Sequence, residues 1–248
     1  MINKAQQIFS IIKKKADSKF KDSLINVLYL KKSGYAVGEL AEFIIVENIN
    51  REHFRPLSAC HIGQKTKNKF DSKTDIVISL NGENIPFSIK TGSRPRLKIK
   101  NGISKELSNV LMSDDIVDRD DIVKAIKKEL STDLYILHLN KKKSTFYIDL
   151  KKINLRSFDS LKITKKSIIL KDKLQKSLIF FDLDRLVIYA YSKSVDIIDS
   201  MELGKDNSLD KKHKGENLLI NSIITKTCLC NIDTLRKIER IVNKKYEE

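Results

Sequence analysis

Cysteine and proline are scarce in this 248-residue chain, with three of each, and glycine occurs only eight times. Cys60, Cys228 and Cys230 are odd in number and form no C-x-x-C pair, which argues against a disulfide framework and against a zinc ribbon, and leaves them as buried or inert thiols. No apolar run of about 18 residues occurs, and Met1 to Gln7 lack the apolar core of a signal peptide, so a soluble, cytoplasmic protein with no membrane partner is expected. Nucleotide-binding G-x-G-x-x-G and G-x-x-x-x-G-K-[ST] motifs and the hydrolase motif G-x-S-x-G are absent. The four histidines, His53, His61, His138 and His213, make neither an H-N-H arrangement nor an H-E-x-x-H helix, and each reads as a surface or core residue. Hydrophobic residues at 41% and charged residues at 32% define a globular chain.

What is abundant is lysine. Lys plus Arg number 48 against 32 Asp plus Glu, a net charge of +16. A surplus of this size attracts polyanions, because each phosphate neutralised by Lys or Arg releases condensed counterions. Nucleic acid is therefore the leading partner class, although a lysine bias from an AT-rich genome, visible also in Ile, Asn and the few prolines, accounts for part of the charge. The basic residues are spread along the chain and form no amphipathic membrane-surface helix.

Apolar spacing over Ala5 to Leu30 predicts one or two amphipathic helices, ended by Ser33 and Gly34, with a further helix from Gly38 through Val46. Arg51 to Lys73 has little periodicity and is rich in Lys and Arg; Lys65, Lys67 and Lys69 are candidate phosphate contacts. Helical spacing returns from Ile103 to Leu111. The acidic cluster of Asp114, Asp115, Asp118, Asp120 and Asp121 reads as a solvated helix start, since it lacks the Gly and terminal Glu of an EF-hand loop. Strands are expected at 134–139, 145–150, 167–170, 178–183 and 186–191, then a charged loop from Gly204 to Gly215 and a closing helix from Asp233 to Lys245. No repeat or low-complexity linker divides the chain.

The most informative segment is Asp75 to Lys90. Asp75 to Leu80 reads as a strand, Asn81-Gly82 as a tight turn and Ile85 to Lys90 as the returning strand. With Asn81 and Gly82 as turn residues, Ile76 faces Phe87 and Asp75 faces Ser88, so Ser88 and Lys90 share Asp75's face of the sheet. Sliding the turn to Gly82-Glu83 sets Lys90 opposite Asp75; a three-residue loop would flip the parity and separate them. The next residues, Thr91-Gly92-Ser93-Arg94-Pro95-Arg96, form a donor-rich turn in which Arg94 and Arg96 are candidates to hold phosphates.

An Asp on one strand and an x-x-Lys triplet on the next resembles the PD-(D/E)XK nuclease superfamily, in particular type II restriction endonucleases. Ser88-Ile89-Lys90 corresponds to the S-X-K form of the triplet, in the manner of HpaII-type enzymes, with Ser where an acid is usual. Gly38-Glu39-Leu40-Ala41-Glu42 matches the Gly-x-x-Ala-Glu pattern on the preceding helix, with Glu42 the favoured acid over Glu39. The resemblance covers roughly 60 residues. It implies a restriction-endonuclease-like α/β (α+β) core, a central mixed β-sheet flanked by helices, with additional C-terminal strands and a helix. A single domain over 1–248 is expected, with a catalytic core over about 35–150 and the part after 151 serving DNA recognition or dimerisation. It also implies Mg2+ held by Asp75, the Ile89 carbonyl and Glu42, with Lys90 orienting the attacking water and Ser88 as a weak or water-mediated participant. Glu106, on the following helix, is the other candidate to replace the missing acid. The expected activity is site-specific hydrolysis of double-stranded DNA in a restriction-modification system, leaving 5'-phosphates, with a homodimer on a palindromic site. A non-catalytic DNA-binding protein that keeps the fold, and a repair or junction nuclease, are the alternatives.

Overall fold

A computed structural model describes residues 3–29, 34–62, 74–92, 96–101, 107, 109, 119–130, 135–153, 159–185 and 187–206. The first apolar stripe, Ala5, Ile8, Phe9 and Ile12, lies on α1 (Lys4–Lys15) at three- and four-residue spacing. Asn3 caps this helix reciprocally with Gln6: the Gln6 amide donates to Asn3 Oδ1 at 3.0 Å and the Asn3 amide to Gln6 Oε1 at 3.3 Å. Asp17 then caps a second helix, α2 (Ser18–Leu28), by accepting from the Phe20 amide at 2.7 Å. The single stretch of helical periodicity is thus two helices. The third, α3, runs Gly34–Ile49 and starts at Gly34, four residues ahead of Gly38.

Two sheets follow. The first is mixed, in the order β1 (Leu57–His61), β2 (Ile76–Leu80), β3 (Glu83–Thr91), β5 (Tyr135–Lys142), β6 (Thr145–Ile153) and β11 (Val195–Lys205). Every neighbouring pair is antiparallel except β3 with β5, which run parallel and set Lys90 beside His138. The second sheet is antiparallel, in the order β4 (Arg96–Asn101), β10 (Val187–Tyr191), β9 (Ser177–Asp182), β8 (Ser167–Lys171) and β7 (Ser160–Thr164). The hairpin β5–β6 extends the sheet begun by β2–β3. β1 and β4 lie where the sequence suggests irregular chain, Arg96 opening β4 in register with Tyr191, and β11 takes in Gly204 and Lys205, the start of the expected charged loop.

Alternation sorts the two faces of the mixed sheet. Ile76, Ile78, Phe87, Leu137, Leu139, Ile148 and Leu150 join Phe9, Phe20 and Ile44 of the helices in one core. Ile136, of opposite parity, joins a second core with Ile168, Ile179, Phe181 and Ile188, closed by Ile122 and Ile126 of α4 (Arg119–Leu130). Asp120 and Asp121 lie exposed in the first turn of α4, where the helix dipole favours them. The architecture is α+β with a mixed central sheet, and among the described residues no helix is long and apolar enough to cross a membrane.

The turn of the β2–β3 hairpin selects its register. Asn81 and Gly82 both have positive φ, 52° and 84°, the conformation of the two-residue hairpin turn whose twist matches that of the strands. Observed pairs are Ile76–Phe87, Ile78–Ile85 and Leu80–Glu83, as the two-residue alternative requires. A Cβ on Gly82 would have no heavy atom within 4 Å. Gly82→Ala therefore costs backbone strain alone, about 1 kcal/mol, and should lower the unfolding free energy by that amount, read as a lower urea midpoint with an unchanged denaturant slope.

Candidate active site

Asp75 lies at the mouth of the hairpin, one residue before β2. Its amide donates to the Phe87 carbonyl at 3.0 Å, and its carbonyl accepts from the Ile62 amide at 3.0 Å, so the backbone is pinned from both sides. Three donors then meet a single carboxylate oxygen, Oδ2: the Ser88 hydroxyl at 2.7 Å, the Ile89 amide at 2.7 Å and the Lys90 ammonium at 3.2 Å. The first two fix the carboxylate, and the third brings a cation to it at a half-buried position where an ion pair is screened less than on open surface. Ser88 is fully buried and donates to Asp75 directly, which fixes the carboxylate in place. Ile89 packs its side chain into the core between them.

Glu42 reaches this place from α3. Burial pushes its carboxyl above the usual range, and Asp75 adds to the effect; His61 and Lys90 act in the opposite direction. His61 is the residue that sequence reasoning missed. From the end of β1, its Nε2 meets Glu42 Oε2 at 2.7 Å, and its ring stacks on Phe43 with centroids 4.7 Å apart. The other ring nitrogen, Nδ1, is buried and has no hydrogen-bond partner among the described residues. The pairing of β1 with β2 brings the ring there: His61 pairs with Ile76, the neighbour of Asp75.

Two carboxylates thus face one region beside one ammonium. Among the described residues, no group of three or more His, Cys, Asp or Glu side chains is arranged to hold a metal ion. The donor set nevertheless fits Mg2+, a hard cation that takes oxygen ligands and commonly needs only one or two carboxylates, keeping water and substrate phosphate for the rest. Asp75 Oδ1 accepts no hydrogen bond from any described residue, and the Glu42 carboxyl, pushed up chiefly by burial, stands close enough to feel the Asp75 charge.

Other expected site residues divide. Lys65, Lys67, Lys69, Arg94 and Glu106 lie outside the described residues, as do Cys228, Cys230, His213 and the expected closing helix. Arg51, from the same basic stretch, is structural: it donates to Asn48 Oδ1 at 2.6 Å and to Asp17 Oδ2 at 3.2 Å, tying α2 to α3. Lys141 and Lys142 at the β5–β6 tip pair with Asp206 and Asp149.

A second polar cluster occupies the same sheet, in line with Lys90. His138 follows Lys90 across the β3–β5 ladder, Asp149 faces His138 on β6, and Ser200 faces Asp149 on β11. Asp149 has no exposed surface and accepts from Ser200 Oγ at 2.6 Å, Asn140 Nδ2 at 2.9 Å and Lys142 Nζ at 3.0 Å. Burial raises its pKa, but these donors outweigh that effect and hold it below the ordinary carboxylate range. Burial, with the nearby Lys151 ammonium, lowers His138 to about 4. Between pH 6.5 and 4 the unfolded chain therefore binds a proton at His138 that the folded chain does not. Stability from this group is complete above pH 6.5 and is lost as pH falls, by about 3 kcal/mol in all. Urea midpoints taken at pH 7 and 4.5 should fall further for the natural chain than for His138→Gln; equal losses would contradict this assignment.

No protein-family model, curated protein or solved structure matches the chain. The residues and their geometry carry the functional reading on their own.

Proposed function

We propose that the chain is a Mg2+-dependent, sequence-specific endonuclease of double-stranded DNA, of the type II restriction class, on a PD-(D/E)XK core in its S-X-K form. The observation that carries this reading is the convergence of Ser88, Ile89 and Lys90 on one oxygen of Asp75, with Glu42 in the same field. Asp75, Glu42 and the Ile89 carbonyl would hold the cation, which supplies charge stabilisation at the phosphate and an activated water. Lys90, held by Asp75, orients the attacking water and offsets charge developing on the phosphoryl oxygens. Water adds to phosphorus as the bond to the 3'-oxygen breaks, leaving a 5'-phosphate and a 3'-hydroxyl. Ser88 keeps the Asp75 carboxylate in place and supplies no charge. The net charge of +16 suits a polyanionic substrate. A cytoplasmic location and a homodimer on a palindromic site accompany this reading.

Ser88 at the acid position favours a second reading, a DNA-binding protein that keeps the fold without catalysis. Incubation with Mg2+ and a long duplex of known sequence separates the two. Discrete, ligatable fragments support restriction; cleavage confined to branched or damaged duplexes supports a repair or junction nuclease. Binding with no cleavage in Mg2+ or Mn2+ leaves only the binder.

A further inference from the structure

We infer that His138 is a positioning residue for the strand end that carries Lys90, acting through the backbone of Gly92. Each partner of the ring accepts or donates in one direction only. The Gly92 carbonyl, 2.6 Å from Nε2, can only accept, so Nε2 carries the hydrogen. The Lys151 ammonium, 2.6 Å from Nδ1, can only donate, so Nδ1 offers its lone pair. The imidazole is thereby held neutral, in one tautomer, at a site where its side chain is almost wholly buried.

Gly92 is the residue on which such a clamp acts. It follows Lys90 by two positions and has φ of 97°, a conformation that only glycine adopts at little cost. Its amide donates to the Leu139 carbonyl at 3.0 Å while its carbonyl accepts from His138, so β5 grips both polar atoms of this one peptide unit residue. Gly92 stands one residue beyond the last pair of the β3–β5 ladder, Thr91–Leu139. Without the clamp the strand end frays from the Lys90 side. Behind His138, Lys151 is steadied by Asp149 at 3.8 Å, and Asn140 Nδ2 ties the His138 carbonyl at 3.0 Å to the same carboxylate. Among the described residues no hydrogen bond or ion pair joins this cluster to Asp75, Lys90 or Glu42, so its effect on chemistry is transmitted through backbone placement.

This inference rests on the nuclease reading for its catalytic consequence, and a second readout keeps the two separable. Glutamine places its amide nitrogen as many bonds from Cα as Nε2 and can still donate to Gly92; asparagine places its amide nitrogen at the distance of Nδ1 and cannot reach. Full-length His138→Gln and His138→Asn are compared with the natural chain for DNA affinity in Ca2+, single-turnover cleavage in Mg2+ and hydrogen exchange at the Gly92 amide. For His138→Asn, cleavage should fall about 10- to 100-fold, the scale of a misplaced catalytic group, with DNA affinity within about twofold. Its Gly92 exchange should rise at least about tenfold, the local-opening signature of a released strand end. His138→Gln should restore both. Lys151→Met, which removes the donor to Nδ1 but keeps the aliphatic stem, should move exchange in the same direction as His138→Asn and decides the matter if either His138 variant does not fold. Unchanged Gly92 exchange in His138→Asn, or equal behaviour of Asn and Gln, overturns the inference. Raised exchange with unchanged cleavage also overturns it. If the natural chain does not cleave DNA at all, the nuclease reading fails, and the exchange data alone decide whether His138 clamps Gly92.

Discussion

On the proposed nuclease reading, Asp75→Asn should lower DNA cleavage about a thousandfold while leaving the fold and DNA affinity near their natural values. The substitution keeps the shape of the side chain, and its carbonyl oxygen can still accept from Ser88 and the Ile89 amide, the two bonds that fix it. What it removes is the charge that would hold a cation and that pairs with Lys90 at 3.2 Å. A bound cation supplies several kcal/mol of transition-state stabilisation, and about 4 kcal/mol corresponds to a thousandfold in rate. Asp75→Ala is the less informative variant, since it also strands the buried Ser88 hydroxyl and the Ile89 amide, each costing about 1–3 kcal/mol of stability. Single-turnover rates at saturating enzyme, with far-UV circular dichroism as the control for folding, measure the difference. A residual rate within about threefold of the natural chain would mean that Asp75 is a structural anchor.

Asp149→Ala should destabilise the protein by about 3–5 kcal/mol, the range for breaking a buried charge network by removing one partner. Asp149 has no exposed surface, and its loss leaves Lys151 beside a neutral histidine with the nearest carboxylate gone. Burial already pushes the Lys151 ammonium below its usual pKa, so it cannot absorb that loss cheaply. Ser200 and Asn140 lose an acceptor as well. Lys142→Met, at the half-exposed end of the same network, should cost no more than about 1 kcal/mol. Urea denaturation of both variants at pH 7 gives the comparison. Similar losses for Asp149→Ala and Lys142→Met would show that the cluster is as loosely coupled as a surface pair.

The parts of the site that were legible in the sequence are those set by local rules. Asn81-Gly82 names a two-residue turn, the turn fixes parity, and parity brings Ser88 and Lys90 to the face of Asp75 before any long-range contact is known. Glu42 was singled out by the resemblance, through the Gly38-x-x-Ala41-Glu42 pattern, and α3 carries it to where the Asp75 and Lys90 charges act on it. His61 was not legible. Its place depends on β1 pairing antiparallel with β2 across a long intervening stretch, and nothing within Leu57 to His61 states that partner. The same holds for His138 and Asp149. Each sits in a strand that reads as ordinary amphipathic sequence, and their alignment with Lys90 exists only because β3 and β5 pair in parallel, a connection that local spacing cannot specify. β4 was hidden for another reason: Arg96 to Asn101 alternates basic and apolar residues, and in a lysine-rich chain that pattern is indistinguishable from a basic loop until β10 is seen to pair with it.

The central claim is that the Asp75–Lys90 hairpin, with Glu42, is a hydrolytic site for phosphodiesters. The most direct test is one Mg2+ digest of a long duplex of known sequence by the natural chain and by Lys90→Ala, with DNA binding measured on both. Discrete fragments from the natural chain, and intact DNA still bound by Lys90→Ala, are the expected result. Cleavage that survives Lys90→Ala undiminished would place the chemistry elsewhere in the molecule and contradict the assignment.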